Sequence, residues 1–357
     1  MASSESRGTP RGRGTAANPP NRFDTIWYVA DEEARGEDDP APRTHFLRDP
    51  AKSIISYNDS PDVGFDASIN PYRGCEHGCI YCYSRPTHEY LGFSSGLDFE
   101  TKILVKEDAP KLLRRELMAK NWKPQPIALS GNTDSYQPGE RRFQLTRGCL
   151  EVLAELRNPV TIITKNHLVT RDLDHLTALG AFDAVVVCVS VTTLDGDLAR
   201  VMEPRTSHPD RRLEAIRTLS SAGIPTGVLV APIIPGLTDK EIPAILKAAA
   251  AAGATFAGSV MLRLPHSVEE LFERWLSERF PDRKKKIQSR IRAIRGGRMN
   301  DPNFKTRMRG EGIFAEQIAA LFEVSCKHAG IPRERPELST AAFRRGEFQQ
   351  GELFPGR

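Results

Sequence analysis

Cys75, Cys79 and Cys82, in the run Tyr72-Arg-Gly-Cys-Glu-His-Gly-Cys-Ile-Tyr-Cys-Tyr83, bring three thiols into one short loop and offer no fourth. Thiolates are ligands for zinc and for iron–sulfur clusters. A cube of iron and sulfide takes four protein thiolates, so three leave one iron open to a ligand that itself takes part in chemistry. Zinc is the other occupant these residues allow, with His77 or His88 completing a Cys3His tetrahedron; the chain would then be a zinc-stabilised nucleic-acid-binding module. Structural zinc sites are usually built from two separated ligand couples, and a tight triad favours the cluster.

The spacing Cys-x3-Cys-x2-Cys, with the aromatic Tyr81 before the last cysteine, resembles the signature of the radical S-adenosylmethionine (radical SAM) superfamily. The wider stretches Asn70 to His88 and Ser130-Gly-Asn-Thr-Asp-Ser-Tyr-Gln-Pro-Gly-Glu140 resemble its uncharacterised bacterial branch related to spore photolyase, over roughly residues 45–335. The resemblance implies an α/β fold, a partial (β/α)6 TIM-type barrel with N- and C-terminal extensions, whose cysteine loop follows the first strand. It implies a [4Fe–4S] cluster on Cys75, Cys79 and Cys82, with S-adenosylmethionine on the open iron. One electron, from a donor such as flavodoxin or ferredoxin, would split the cofactor and start hydrogen abstraction from a substrate left unspecified.

The same resemblance assigns cofactor contacts at the strand ends. Tyr81 belongs beside the adenine. Ser130, Gly131, Asn132 and Thr133 approach the methionyl amine, with Asp134 or Glu140 as its counter-charge, although an aspartate there equally stabilises its own turn. Thr164 and Lys165 end the third strand, and Ser190 and Thr192 the fourth; their hydroxyls suit a ribose, a carboxylate or simple capping. Glu203 and Arg205 flank Pro204, as a cofactor contact or as a local ion pair. The stiff loop 230–239 closes the fifth strand against adenine, and Arg263 and His266 follow the sixth, toward substrate. His77 and His88 read as solvent-facing loop residues. Cys149, Cys188 and Cys326 read as small buried hydrophobes, and none matches the extra cysteine that spore photolyase uses to return a hydrogen atom.

Those strand ends need a scaffold, and short apolar runs alternating with amphipathic stretches provide one. Strands are predicted near 66–70, 126–130, 160–164, 184–191, 227–231 and 256–262, and helices over 109–120, 143–156, 171–179, 211–222 and 240–252, the last capped by Asp239 and ended by Gly253. Periodicity alone does not separate a barrel from an open doubly wound sheet. The domain plan is an irregular extension over 1–44, a barrel over 45–265, a basic helical extension over 266–335 and a flexible tail over 336–357, with the Ser-, Gly-, Arg- and Pro-rich stretch 1–20 unpacked.

At 357 residues and 39% hydrophobic the chain can bury one large core. Six cysteines without a paired framework, no signal-type leader and no apolar run of bilayer length predict a cytoplasmic protein. The net charge of +4 is uneven: residues 281–310 carry eleven Lys or Arg against two Asp. Nucleic acid could follow cations over 283–309, while Ile287, Ile291 and Ile294 at helical spacing fit a helix with one buried stripe and a wet basic face.

Overall fold

The computed structural model describes residues 9–15, 17–23 and 42–345. The predicted disorder of 1–8, the acidic stretch from Asp31 to Ala41 and most of the C-terminal tail lie outside them. Ten strands occur in the described residues: β1 (His45–Arg48), β2 (Ile55–Tyr57), β3 (Ala67–Ile69), β4 (Tyr72–Arg73), β5 (Lys102–Val105), β6 (Ile127–Leu129), β7 (Val160–Thr164), β8 (Val185–Ser190), β9 (Thr226–Ile233) and β10 (Phe256–Met261).

Six of them, β3 and β6 to β10, pair in parallel and in sequence order, with β2 antiparallel on the outer edge of β3. This order decides what periodicity left open. A doubly wound sheet reverses direction at a switch point; here every crossover steps the same way, as in a barrel. The pairing of β6 with β7 (Leu129 opposite Ile162) and of β7 with β8 (Thr164 opposite Val189) brings the predicted strand ends together at one rim. The strands are short and aliphatic because both faces are covered: Ile127, Ile162, Val187 and Val189 are fully buried.

Helix α1 (Leu97–Thr101) precedes β5, and the crossovers carry α2 (Ala109–Met118), α3 (Glu140–Phe143), α4 (Leu145–Leu156), α5 (Leu173–Gly180), α6 (Gly196–Met202), α7 (Pro209–Ser221) and α8 (Ile242–Ala251). One cap differs from expectation. Gly253 ends α8 at φ +94°, but Asp239 does not cap it: its Oδ1 accepts from the Gly236 N–H behind it at 3.0 Å, and a 3-10 turn over Asp239–Glu241 starts the helix. The short α6, absent from the sequence reading, has a clear signal, since Asp195 Oδ1 accepts from Asp197 N–H at 2.9 Å and Leu198 N–H at 3.1 Å.

Two additions shape the site. The small sheet β1-β5-β4 leads the chain into the cysteine loop. After the barrel come α9 (Ser267–Arg279), α10 (Pro281–Ala293), α11 (Thr306–Arg309) and α12 (Ile313–Ala329). Helices α9 and α10 build a second core with that loop, in which Phe272, Trp275, Ile287 and Ile291 share one apolar cluster with Cys79, Ile80 and Tyr81.

The N-terminal segment departs from expectation. Residues 9–15 and 17–23 are not an unpacked tail but a strap along the loop: Arg13 and Thr15 are buried, Leu97 N–H donates to Ala17 O at 3.3 Å, and Asn21 donates to Glu89 O at 2.9 Å. A low content of large apolar side chains misled the reading, because this strap is held by polar bonds.

Candidate functional site

The three cysteines are free thiols, with Cys75 and Cys79 buried and Cys82 half-buried. Glycines make their loop possible. Gly74 and Gly78 adopt φ +83° and +65°, and a Cβ on Gly78 would stand 2.7 Å from Glu100 Oε2. Backbone bonds fix the rest: Cys75 N–H donates to Phe99 O at 2.9 Å, Ile80 N–H to Met202 O at 3.0 Å, and Glu76 N–H to Gln137 Oε1 at 2.9 Å. Burial raises the Cys75 thiol well above its ordinary value, with Asp134, Cys79 and Cys82 adding to it; burial also raises Cys79, opposed by the ammonium of Lys165. Burial is the main cause at both thiols.

A buried ion pair lies on each side of this loop. Arg85, fully buried, donates to Gly78 O (3.2 Å), Cys79 O (3.0 Å), Gly96 O (3.0 Å) and Glu100 Oε1 (2.6 Å). Glu100 Oε2 accepts from the strap's Gly14 N–H at 2.9 Å. On the far side, Arg212 pairs with Glu203 and donates to Ser190 O (3.2 Å), Thr206 Oγ1 (2.6 Å) and Ser207 O (2.8 Å). Burial raises both glutamates, opposed by their arginines. Sequence reasoning missed Arg85, Glu100 and Arg212, for no local pattern marks a partner 9 or 15 residues away as buried.

The predicted contacts divide into two groups. Several are engaged within the protein. Glu203 pairs with Arg212 rather than Arg205, and its Oε1 accepts from Tyr81 OH and from Thr192 Oγ1 at 2.7 Å. Arg205 reaches Glu76 Oε1 at 2.8 Å. Asp134 accepts from Thr164 Oγ1 (2.8 Å), Lys165 N–H (2.8 Å) and Tyr136 N–H (2.9 Å), with His77 Nδ1 at 3.4 Å; burial would raise its pKa, but His77 and these donors hold it below the usual carboxylate value. Glu140 accepts from Tyr72 OH, Thr146 N–H and Arg171. Thr133 Oγ1 donates to Tyr72 O at 2.9 Å.

Others remain presented at the rim. The Lys165 ammonium stands 5.8 Å from the centre of the Tyr81 ring, its pKa lowered by burial and supported by Cys79, and it makes no ion pair among the described residues. Ser130 takes φ +85°, rare for a residue with a side chain, and is held there by Ser135 at 2.6 Å. That turn presents Gly131 and the exposed Asn132 beside the loop, where Tyr83 OH donates to Gly131 O at 2.9 Å and Ser84 Oγ to Asn132 O at 2.6 Å. Ser190 is buried at the end of β8, its carbonyl taken by Arg212.

The histidines correct the sequence reading, because both are buried. His77 is fixed by Asp134 through Nδ1 and lies 3.2 Å from Asn166 Nδ2 through Nε2, so it has no nitrogen left for a metal. His88 Nε2 bonds Lys102 O at 2.9 Å, and burial lowers its pKa to about 4. Among the described residues no three His, Cys, Asp or Glu side chains are gathered tightly enough to share a single ion. Cys149 and Cys326 are buried in α4 and α12, and Cys188 is half-buried in β8. Arg263 lies over the Tyr83 ring at 5.3 Å, whereas His266 is exposed at the start of α9. In the loop 230–239, Ile233, Ile234 and Leu237 are buried. A cavity of about 180 Å³ lies behind the loop, between the strap and α9, away from the rim. No helix of the described residues is long and apolar enough to cross a membrane.

Comparison with known proteins agrees with this geometry. Residues 69–249 match the model of the radical SAM superfamily. An uncharacterised protein of Mycobacterium tuberculosis is 37% identical over 282 residues, covering 78% of this chain and 80% of its own. An uncharacterised protein of Methanocaldococcus jannaschii is 32% identical over 173 residues, 48% of this chain and 62% of its own. A spore photoproduct lyase variant is similar in fold, with a TM-score of 0.53 at 16% identity over 79% of this chain and 78% of that chain. The matched span runs from the last residue of β3 through the cysteine loop to α8, and with it the chain belongs to the radical SAM superfamily.

Proposed function

We propose that this protein is a radical SAM enzyme whose Cys75, Cys79 and Cys82 hold a [4Fe–4S] cluster and leave one iron for S-adenosylmethionine. The observation that carries the reading is the glycine-turned loop itself: three free thiols on one short loop at the rim of the parallel sheet, while the other three cysteines of the described residues lie in α4, β8 and α12. Bound on that loop, the cluster would supply the electron for reductive cleavage of the cofactor's carbon–sulfur bond, the chemistry that would start hydrogen abstraction from substrate.

The chain's own part is positioning and exclusion of water. Arg85 and Glu100 anchor the loop from behind, and Tyr81, locked through its hydroxyl to Glu203, offers a fixed ring to the adenine. Lys165, a cation without an ion-pair partner among the described residues, suits the cofactor's carboxylate. Ser130, Gly131 and Asn132, on the strained turn beside the loop, are the residues proposed to meet the methionyl amine. A reduced flavodoxin or ferredoxin is the proposed electron donor. The zinc alternative loses His77 as its fourth ligand, because both of that residue's nitrogens are engaged.

Anaerobic reconstitution with iron and sulfide, followed by dithionite and S-adenosylmethionine, should give a brown protein that releases 5′-deoxyadenosine. A colourless protein carrying one zinc, or a brown one that leaves the cofactor whole, overturns the proposal.

A further inference from the structure

The basic run after the barrel is less free than its composition suggests. Arg283 donates to Gly236 O, Lys284 to Ser277 Oγ and Arg295 to Leu262 O and Thr306 O, while Arg292 pairs with Glu273 and Arg290 covers Phe314. Helix α10 spends most of its cations on packing, as a solvated face over a buried isoleucine stripe does.

Among the described residues, a different cation stands without a carboxylate. Arg263, two residues past β10, lays its guanidinium over Tyr83, the residue that follows Cys82. Among the described residues its buried Nε has no partner, and its Nη1 meets only Met308 Sδ at 3.6 Å. The carboxylate nearby, Asp62, is taken by Arg307 and by Lys305 N–H. Arg307 in turn covers Phe304 at 4.3 Å. Two guanidinium–aromatic pairs thus meet at one corner of the rim with one acid between them, and burial together with Arg307 holds the Arg263 pKa below that of free arginine. Tyr83 and Phe304 remain 47% and 52% exposed.

A partly desolvated guanidinium without an anion is unfavourable unless a ligand completes it. Its planar fork matches the oxygens of a phosphate, and half-exposed rings beside it are the usual platform for a nucleobase. We infer that Arg263, Tyr83 and Phe304 form a substrate subsite for a nucleoside phosphate, the phosphate on Arg263 and the base against one of the rings. The inference rests on the proposed function in setting the substrate beside Cys82. Exposed Lys305 and Arg309, on the same segment, extend the positive surface along which a strand could continue.

The test is anisotropy titration of the full chain with a short labelled single-stranded oligonucleotide, its duplex and a competing 5′-mononucleotide, each at two salt concentrations. The single strand should bind. Arg263→Gln should weaken it about tenfold, as loss of a charged hydrogen-bonding group does, and lower the salt slope by about one. Phe304→Ala, on an exposed side chain that cannot unfold the barrel, should also weaken it, and the pair Lys285→Glu with Lys286→Glu should leave it within about twofold. Displacement of the strand by equimolar mononucleotide identifies a free nucleotide as the ligand, and failure to displace identifies a strand. Wild-type affinity in both Arg263→Gln and Phe304→Ala, or no binding of any of the three probes, overturns the inference. Release of 5′-deoxyadenosine without nucleic acid is read separately, so intact scission with no binding sinks this subsite alone, and binding without scission sinks the enzymatic reading alone.

Discussion

Replacing Gly14 by alanine tests whether the N-terminal strap is part of the site. A methyl carbon there would stand 1.7 Å from Gly78 O and 2.9 Å from Gly78 C, and both are backbone atoms of the cysteine loop that cannot rotate away. Relief requires the strap to withdraw by about 2 Å to reach ordinary contact. That movement breaks the 2.9 Å bond from Gly14 N–H to Glu100 and the 3.1 Å bond from Arg13 to Glu100 O. Glu100 is fully buried and would then rely on Arg85 alone. Overpacking costs about 1–3 kcal/mol, and a buried acceptor that loses a donor about 1–3 kcal/mol more. A total loss of about 2–6 kcal/mol corresponds to a fall in Tm of roughly 3–8 °C in a chain of this size. Thermal melting of the cluster-free protein reads the stability, and the rate of Cys79 alkylation under native conditions reads the opening of the loop. Gly180→Ala is the control, because its new carbon meets nothing closer than Val185 at 3.9 Å. Equal melting and equal alkylation in Gly14→Ala and Gly180→Ala would refute the strap's role.

Further outcomes follow from the same geometry. Arg212→Met leaves Glu203 as an unpaired buried carboxylate and should cost about 3–5 kcal/mol in urea unfolding, most of it recovered when Glu203→Leu is added; an additive double mutant contradicts the pairing. His88 is held neutral by burial, at about 4 against 6.5 for a free imidazole, so the unfolded chain binds a proton that the folded chain refuses. Its contribution, about 3 kcal/mol, is complete above pH 6.5 and is lost as pH falls toward 4; His88→Gln should flatten urea stability across that window. Cys82→Ala should abolish stable iron loading, whereas Cys149→Ala, in a helix of the core, should load as wild type does.

The barrel was legible because its strands are aliphatic blocks separated by amphipathic helices, and all six predicted strands lie within a few residues of β3 and β6 to β10. The small sheet was not, since β1, β4 and β5 span four, two and four residues, too few to display a period. The cysteine loop was legible from spacing. Its support was not, because Arg85–Glu100 and Arg212–Glu203 are charged residues in buried places, and hydropathy assigns charge to the surface. Asp134 and Glu203, singled out in the sequence as cofactor contacts, are engaged within the protein: one accepts from the Lys165 N–H and lies against His77, the other accepts from Tyr81.

The same pairs explain how a loop of thiols can be both buried and poised. Each guanidinium beside the loop is neutralised by its own glutamate, so the two pairs bring rigidity and almost no net charge. What remains is Lys165, coupled to Cys79 and Cys82 and bound to no carboxylate among the described residues. Lys165 therefore adds to the loop a positive charge that no ion pair holds, beside the negative charge of Asp134. Rigidity and charge are separated onto different residues. Substituting an arginine should be felt mainly as lost stability, and substituting Lys165 mainly as changed chemistry at the thiols, because each arginine is held by its own glutamate whereas the lysine ammonium makes no ion pair among the described residues.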